Sequence, residues 1–410
     1  MKRIMCIAAA ALLLVSCADS DSSKTATADL TGESPRSVYQ GADDFMGKSY
    51  PGFVMPENFD VPEIQRAYTV TFSSTIKEAA VERGKELLKK WFGDKYDPRC
   101  VVTDGNNSLV YSPINLADEL GIADDDLEGA VWPDVGGSGF FSPGWISVSD
   151  NYTFPSFQSR ISAETMTEKE YNEALKNYVP NTDEYRVASD GGSLIQLKDG
   201  EISVAQEAHI ADEKLNELLG DYAAPFEIKT IALTVDHDSE QIQALAALTC
   251  EGIPIQCYST DGEVYDENNG TESPLVVLLM GMFSLDNELH QVIASEMPDT
   301  VSLSEPLERI ISLKRAIGIL QETLDPALTV EFSDVRLMYC GRETMPWTRK
   351  GVEKGGYTDQ QLRKEYYAKP KTLNPTWCFF IKGDRIGVME KCIKINAVIG
   401  EVTFDTLTKD

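Results

Sequence analysis

Apolar residues in this chain come in strand-sized blocks, and that length decides most of what it can fold into. Residues 275–283 form an apolar run of nine. Nine residues suit a buried strand and fall far short of the about 20 that a membrane-spanning helix needs. Residues 67–72 alternate apolar with polar, as a half-buried strand does. Strands are also expected at 226–235, 328–340, 377–382 and 392–404. Between 99 and 160, short runs such as Cys100-Val-Val-Thr103 and Trp145-Ile-Ser-Val148 are separated by Gly and Pro. Residues 194–197 and 202–205 read as a hairpin across Lys198-Asp-Gly-Glu201, because Asp-Gly favours a tight turn.

Helical patterns are fewer. Residues 73–90 carry apolar positions at helical spacing, with Ser74 or Thr75 as the cap and Glu78, three residues after Thr75, completing a capping box. Thr167 and Glu170 open a helix over 167–178. Asp238, with Gln241 three residues on, opens one expected over 238–250. Residues 307–324 put Ile310, Leu313, Ala316, Ile317, Leu320 and Leu324 on one face. Segregated strands and helices imply an α+β fold, with antiparallel sheets and helices packed on one face. The strand–helix order recurs near 67–90 and 228–250, which suggests two related domains, 63–225 and 226–410.

The N-terminus carries an address. Lys2 and Arg3 precede an apolar stretch of about a dozen residues, the size of a signal-peptide core. It ends in Leu14-Val15-Ser16-Cys17, which resembles the bacterial lipobox. The resemblance implies removal of residues 1–16, lipid on the Cys17 sulfur and an extracytoplasmic protein anchored to the cell membrane. Residues 17–62, rich in Ser, Thr, Ala, Asp, Gly and Pro, read as a flexible tether.

Charge narrows the partners. The 410 residues include 37 Lys and Arg against 66 Asp and Glu, a net charge of −29. Such acidity argues against nucleic acid, whose affinity is dominated by Lys and Arg contacts to phosphate. Six cysteines follow Cys17. Cys250 and Cys257 are the one pair whose spacing, across a turn at Glu251-Gly252, suggests a disulfide; buried free thiols are the alternative.

The last hundred residues show an order with a known counterpart. Lys314-Arg-Ala-Ile317 lies in a helix that leads to a long strand, Asn374-Pro-Thr-Trp377 opens the next, and Ile395-Asn-Ala-Val-Ile-Gly-Glu-Val402 closes the chain. This resembles the PepSY module, and it is similar to the C-terminal part of the YycH/YycI regulators, which restrain a membrane kinase. The whole chain resembles an uncharacterised family of exported lipoproteins from Gram-positive gut bacteria. The resemblance implies a non-catalytic interaction or regulatory role toward an envelope protein.

Catalytic patterns are absent from the sequence. The three histidines form no HExxH or HxH, and Val235-Asp-His-Asp238 is half of a metal site at most. Asp124-Asp-Asp-Leu-Glu-Gly129 begins like a calcium loop, but its twelfth position is Val135. The glycine-rich residues 136–144 lack the Lys-Ser/Thr of a phosphate loop. Neither a metal nor another cofactor is expected, and the chain does not read as an enzyme. The alternative function is binding of a small ligand, peptide or glycan by Trp132, Phe140, Phe141, Trp145 and Tyr152, aromatics that flank the glycine run.

Overall fold

Period-two patterning dominates the computed structural model, whose two large sheets hold ten and eight strands. The described residues are 32–73, 77–103, 108–123, 130–142, 145–155, 181–256, 264–266, 270–274, 277–295, 297, 300–345, 370–386 and 389–404. Their strands are β1 (Ser49–Tyr50), β2 (Gly52–Val54), β3 (Val70–Ser73), β4 (Val101–Thr103), β5 (Leu109–Tyr111), β6 (Gly137–Ser142), β7 (Trp145–Asp150) and β8 (Thr182–Arg186). Then come β9 (Leu194–Leu197), β10 (Gly200–Ser203), β11 (Glu227–Asp236), β12 (Gln241–Cys250), β13 (Ile253–Pro254), β14 (Val264–Asp266), β15 (Gly270–Pro274) and β16 (Leu278–Ser284). The last are β17 (Leu289–Ser295), β18 (Thr300–Leu303), β19 (Thr329–Cys340), β20 (Arg342–Met345), β21 (Lys371–Ile386), β22 (Met389–Asn396) and β23 (Val402–Phe404). The helices are α1 (Lys77–Phe92), α2 (Ala117–Leu120), α3 (Val187–Asp190), α4 (Val204–Ala223) and α5 (Leu313–Thr323).

The ten-stranded sheet runs β4-β5-β6-β7-β17-β16-β12-β11-β8, with β13 on β12. The eight-stranded sheet runs β1-β2-β19-β21-β22-β23, with β3 on β21 and β18 on β3. Pairing is antiparallel except between β2 and β19. Both sheets are open. The fold is mixed α+β, mostly sheet with few helices, as the pattern of short runs implied. The ten-stranded sheet spans the position 225/226, taking β4 to β8 from one side of it and β11, β12, β13, β16 and β17 from the other. One connected apolar cluster includes Leu88 of α1, Leu215 of α4, Ile317 of α5, Phe283 of β16 and Trp377 of β21.

Two elements differ from the expected ones. Residues 238–250 are not a helix: β12 forms a hairpin with β11, and Ile242, Ala244, Ala246 and Leu248 point one way into the core. Asp238 caps no helix. It lies in the turn, where Asp236 Oδ1 accepts the N–H groups of Asp238 and Ser239. With a strand there, the strand–helix repeat that suggested related halves is lost. The second difference is α4, a helix of 20 residues directly after the hairpin. Ser203 and Gln206 form a capping box. Val204, Ala208, Ala211, Leu215 and Leu219 then recur at helical spacing and are buried.

Residues 32–62, expected to be tether, are folded. Val38, Tyr39, Phe53 and Met55 are buried, and β2 pairs with β19. Residues 1–31, with the signal segment and Cys17, lie outside the described residues, as do the helix expected at 167–178 and the acidic turn at 124–129.

A helix packs closely on the glycine-rich run. A Cβ on Gly139 of β6 would sit 2.6 Å from Leu88 Cδ2 of α1, and one on Gly84 of α1 would sit 2.9 Å from Phe141 Cγ. Both glycines let α1 lie close to the strand. Gly139→Val is therefore expected to cost about 1–3 kcal/mol through overpacking. Chemical denaturation checks this, and a neutral variant would show that α1 can move off β6.

Candidate functional site

The inner face of β7 and β17 positions the site. Ile146 and Val148 of β7 and Val292 and Ala294 of β17 point into the core. At the end of the same face, the register Gln291↔Ser149 sets His290 beside Asp150. His290 is 6% exposed. Its Nδ1 lies 2.8 Å from Asp150 Oδ2. Asp150 Oδ1 accepts the Tyr152 N–H at 2.8 Å, an Asx-type turn that folds the chain back over the histidine. The Tyr152 ring stacks on the imidazole at 3.8 Å and 12°, and Phe154 meets it edge-on at 5.6 Å and 82°. The carboxylate accepts from Nδ1, and in the neutral ring with that tautomer Nε2 is an acceptor. Nε2 is buried and has no partner among the described residues.

His290 lines a cleft of about 590 Å³ between α1, α4 and the start of β17. Trp91, Leu218 and Leu289 give it apolar walls, and Lys90, Lys95 and Lys214 put three cations around it. Lys90 Nζ donates to the Glu217 carbonyl. Lys95 pairs with Asp134 at 2.9 Å and holds that carboxyl below its ordinary value. Lys214, Glu217 and Glu288 form no ion pair among the described residues.

Beneath the cleft, α4 carries a carboxyl on its apolar stripe. Glu207 is 0% exposed, and neither oxygen is in hydrogen-bond geometry with a partner. Burial pushes it up to about 7, while Lys214 and the Asn287 side chain pull it partly back. Asn287 occupies the turn between β16 and β17 at φ 61°.

The five aromatics expected to form one surface are divided by the strand pleat. Phe141 is core. Phe140 and Trp145 point outward and are exposed, and Tyr152 packs on His290. Trp132 is half-buried. On the outer face, the registers Val102↔Val110 and Val110↔Phe140 align three exposed apolar residues across β4, β5 and β6. His237, the histidine that its carboxylate neighbours singled out, is half-buried and pairs at 2.8 Å with the exposed Asp183, and neither residue lines the cleft. No motif pointed to His290, because its carboxylate partner is 140 positions away in the chain.

The Glu251-Gly252 turn forms as expected, with φ 51° and 86°. Cys250 is a buried free thiol, pushed up to about 11 by burial, and Cys257 lies outside the described residues. Cys100, Cys340, Cys378 and Cys392 are likewise buried free thiols. Among the described residues no cluster of His, Cys, Asp or Glu could hold a metal ion, and no helix is long and apolar enough to cross a membrane.

No protein-family model matches the chain, and neither does any curated protein. Among solved structures, an uncharacterised protein from Eubacterium rectale aligns with 87% of this chain and 92% of its own, at 9% identity and a TM-score of 0.41.

Proposed function

We propose that this protein is a non-catalytic binding module, exported and held at the extracytoplasmic face of the cell membrane by lipid on Cys17, and that it takes a small ligand in the His290 cleft. The observation that carries this reading is the buried, unpartnered Nε2 of His290 beside a cleft with apolar walls. Burying a polar atom without a partner costs free energy, so such atoms in native proteins call for an explanation. A ligand that donates a hydrogen bond supplies one. Ligand-observed NMR with a fragment library on the full-length chain tests the reading. Hits are expected to lose affinity in Trp91→Ala; hits unaffected by that change would move the site elsewhere.

A second reading is favoured by the outward row Val102, Val110 and Phe140, with Trp145 nearby. Exposed apolar patches mark interaction surfaces, and this one suits an envelope protein partner. The PepSY-like and YycH/YycI-like reading of the C-terminal region belongs here. It draws on the pairing of Trp377 with Ile395 across β21 and β22, the two segments on which the likeness rests. Crosslinking in cells tests this reading. Trp145→Ala is expected to abolish an enriched crosslink without lowering the melting temperature, and a crosslink that survives would exclude this face.

A further inference from the structure

We infer that the ligand of the His290 cleft is a zwitterion, a free amino acid or short peptide with an apolar side chain. Its carboxylate is taken by Lys214, its ammonium by Glu217 or Glu288, and an N–H is accepted by His290 Nε2. The inference rests on the binding reading above and specifies its ligand.

Three observations converge on it. The first is which charges are already engaged. Asp150 is used on both oxygens, by His290 and by the Tyr152 N–H. Lys95 is paired with Asp134, and Lys90 lies against the Glu217 carbonyl. Lys214, Glu217 one turn further along α4, and Glu288 just before β17 are left without ion pairs among the described residues. Lys214 does face Glu207, but burial favours the protonated form of that carboxyl, so it does not neutralise the lysine fully.

The second is the field of the whole chain. A net charge of −29 repels an anionic ligand over long range. A bare cation meets three lysines at the cleft. A zwitterion carries no net charge and presents each sign locally. The third is the pairing of polar and apolar surface. His290 Nε2 needs a donor, which an ammonium or peptide N–H provides, and Trp91, Leu218 and Leu289 offer apolar wall to a side chain.

The probe is the dipeptide leucyl-leucine, titrated calorimetrically into the full-length chain beside its N-acetyl derivative and its C-terminal amide. Each blocked form is expected to bind at least tenfold more weakly than the free dipeptide. In Lys214→Met, with circular dichroism confirming that it is folded, the preference for a free carboxylate is expected to disappear while the preference for a free ammonium stays. His290→Gln is expected to abolish binding, with circular dichroism confirming that it is folded. Equal affinity for free and blocked dipeptides would overturn the zwitterion and leave the cleft as a binding site. Fragment hits at the cleft without any dipeptide binding would do the same. No binding of any probe would overturn both.

Discussion

Trp377→Ala is expected to lower the unfolding free energy by about 3–5 kcal/mol. Trp377 is 0% exposed at the middle of β21, between Leu337 of β19 and Ile395 of β22. Its ring meets Tyr39 edge-on, with centroids 4.9 Å apart at 74°. Its Nε1–H donates to the Ile311 carbonyl at 2.8 Å, just ahead of the Ser312 cap of α5. Tyr39 Oη in turn accepts the Leu337 N–H at 3.1 Å. Alanine would leave a cavity at the point where the folded N-terminal segment, the sheet and α5 meet, and would leave a buried carbonyl unpaired. Trp377→Phe keeps part of the aromatic volume and loses the donor, so about 1–3 kcal/mol is expected from the orphaned carbonyl. Urea denaturation at neutral pH orders the three proteins. An alanine variant within about 1 kcal/mol of the parent would mean that the site collapses without strain. Domains of this kind hold about 5–15 kcal/mol in all, so the expected loss is a large share.

β19, β21 and β22 were legible through their β-branched and aromatic content rather than through alternation: Val335, Leu337, Tyr339, Trp377, Phe379, Ile393 and Ile395 share one buried face, and Met338, Cys378, Phe380 and Cys392 are buried on the other. β12 was misread for a physical reason. Gln241-Ile-Gln-Ala-Leu-Ala-Ala-Leu holds strong helix formers, and Leu245 and Ala247 on the second face are buried as well. A strand covered on both faces loses its alternation, and Ala and Leu then resemble a helix. In α4, Glu207 interrupts an otherwise apolar stripe. In residues 32–62, the polar Gly- and Pro-containing stretches concealed isolated core residues such as Tyr39, Phe53 and Met55. The site was half legible. The aromatic segment does lead to Tyr152, but the pleat sends Phe140 and Phe141 to opposite faces, and the histidine under Tyr152 comes from a strand far along the chain. Long-range pairing of that kind leaves no local pattern.

Glu207→Gln is expected to change how stability depends on pH. An unfolded chain titrates this carboxyl near 4.5, whereas burial in the folded protein raises it to about 7. Between those values the folded state holds more protons than the unfolded state, so this group makes stability fall as pH rises. Its contribution is flat below the lower value and flat again above the upper one. The full difference is on the order of 3 kcal/mol for a side chain buried from solvent. Glutamine has the shape of the protonated acid and cannot ionise. At pH 4 the variant should match the parent, and at pH 8 it should be more stable by about 3 kcal/mol. Urea midpoints from pH 4 to 9 test this, and a difference that does not change with pH would sink the assignment. The consequence reaches the cleft. Ionising Glu207 places a charge under the Asn287 turn and beside Lys214, and that turn leads directly into Glu288 and His290. Parent and variant should therefore differ in dipeptide affinity above pH 7 and agree below pH 5. There the parent is also protonated, and Lys214 faces a neutral side chain in both.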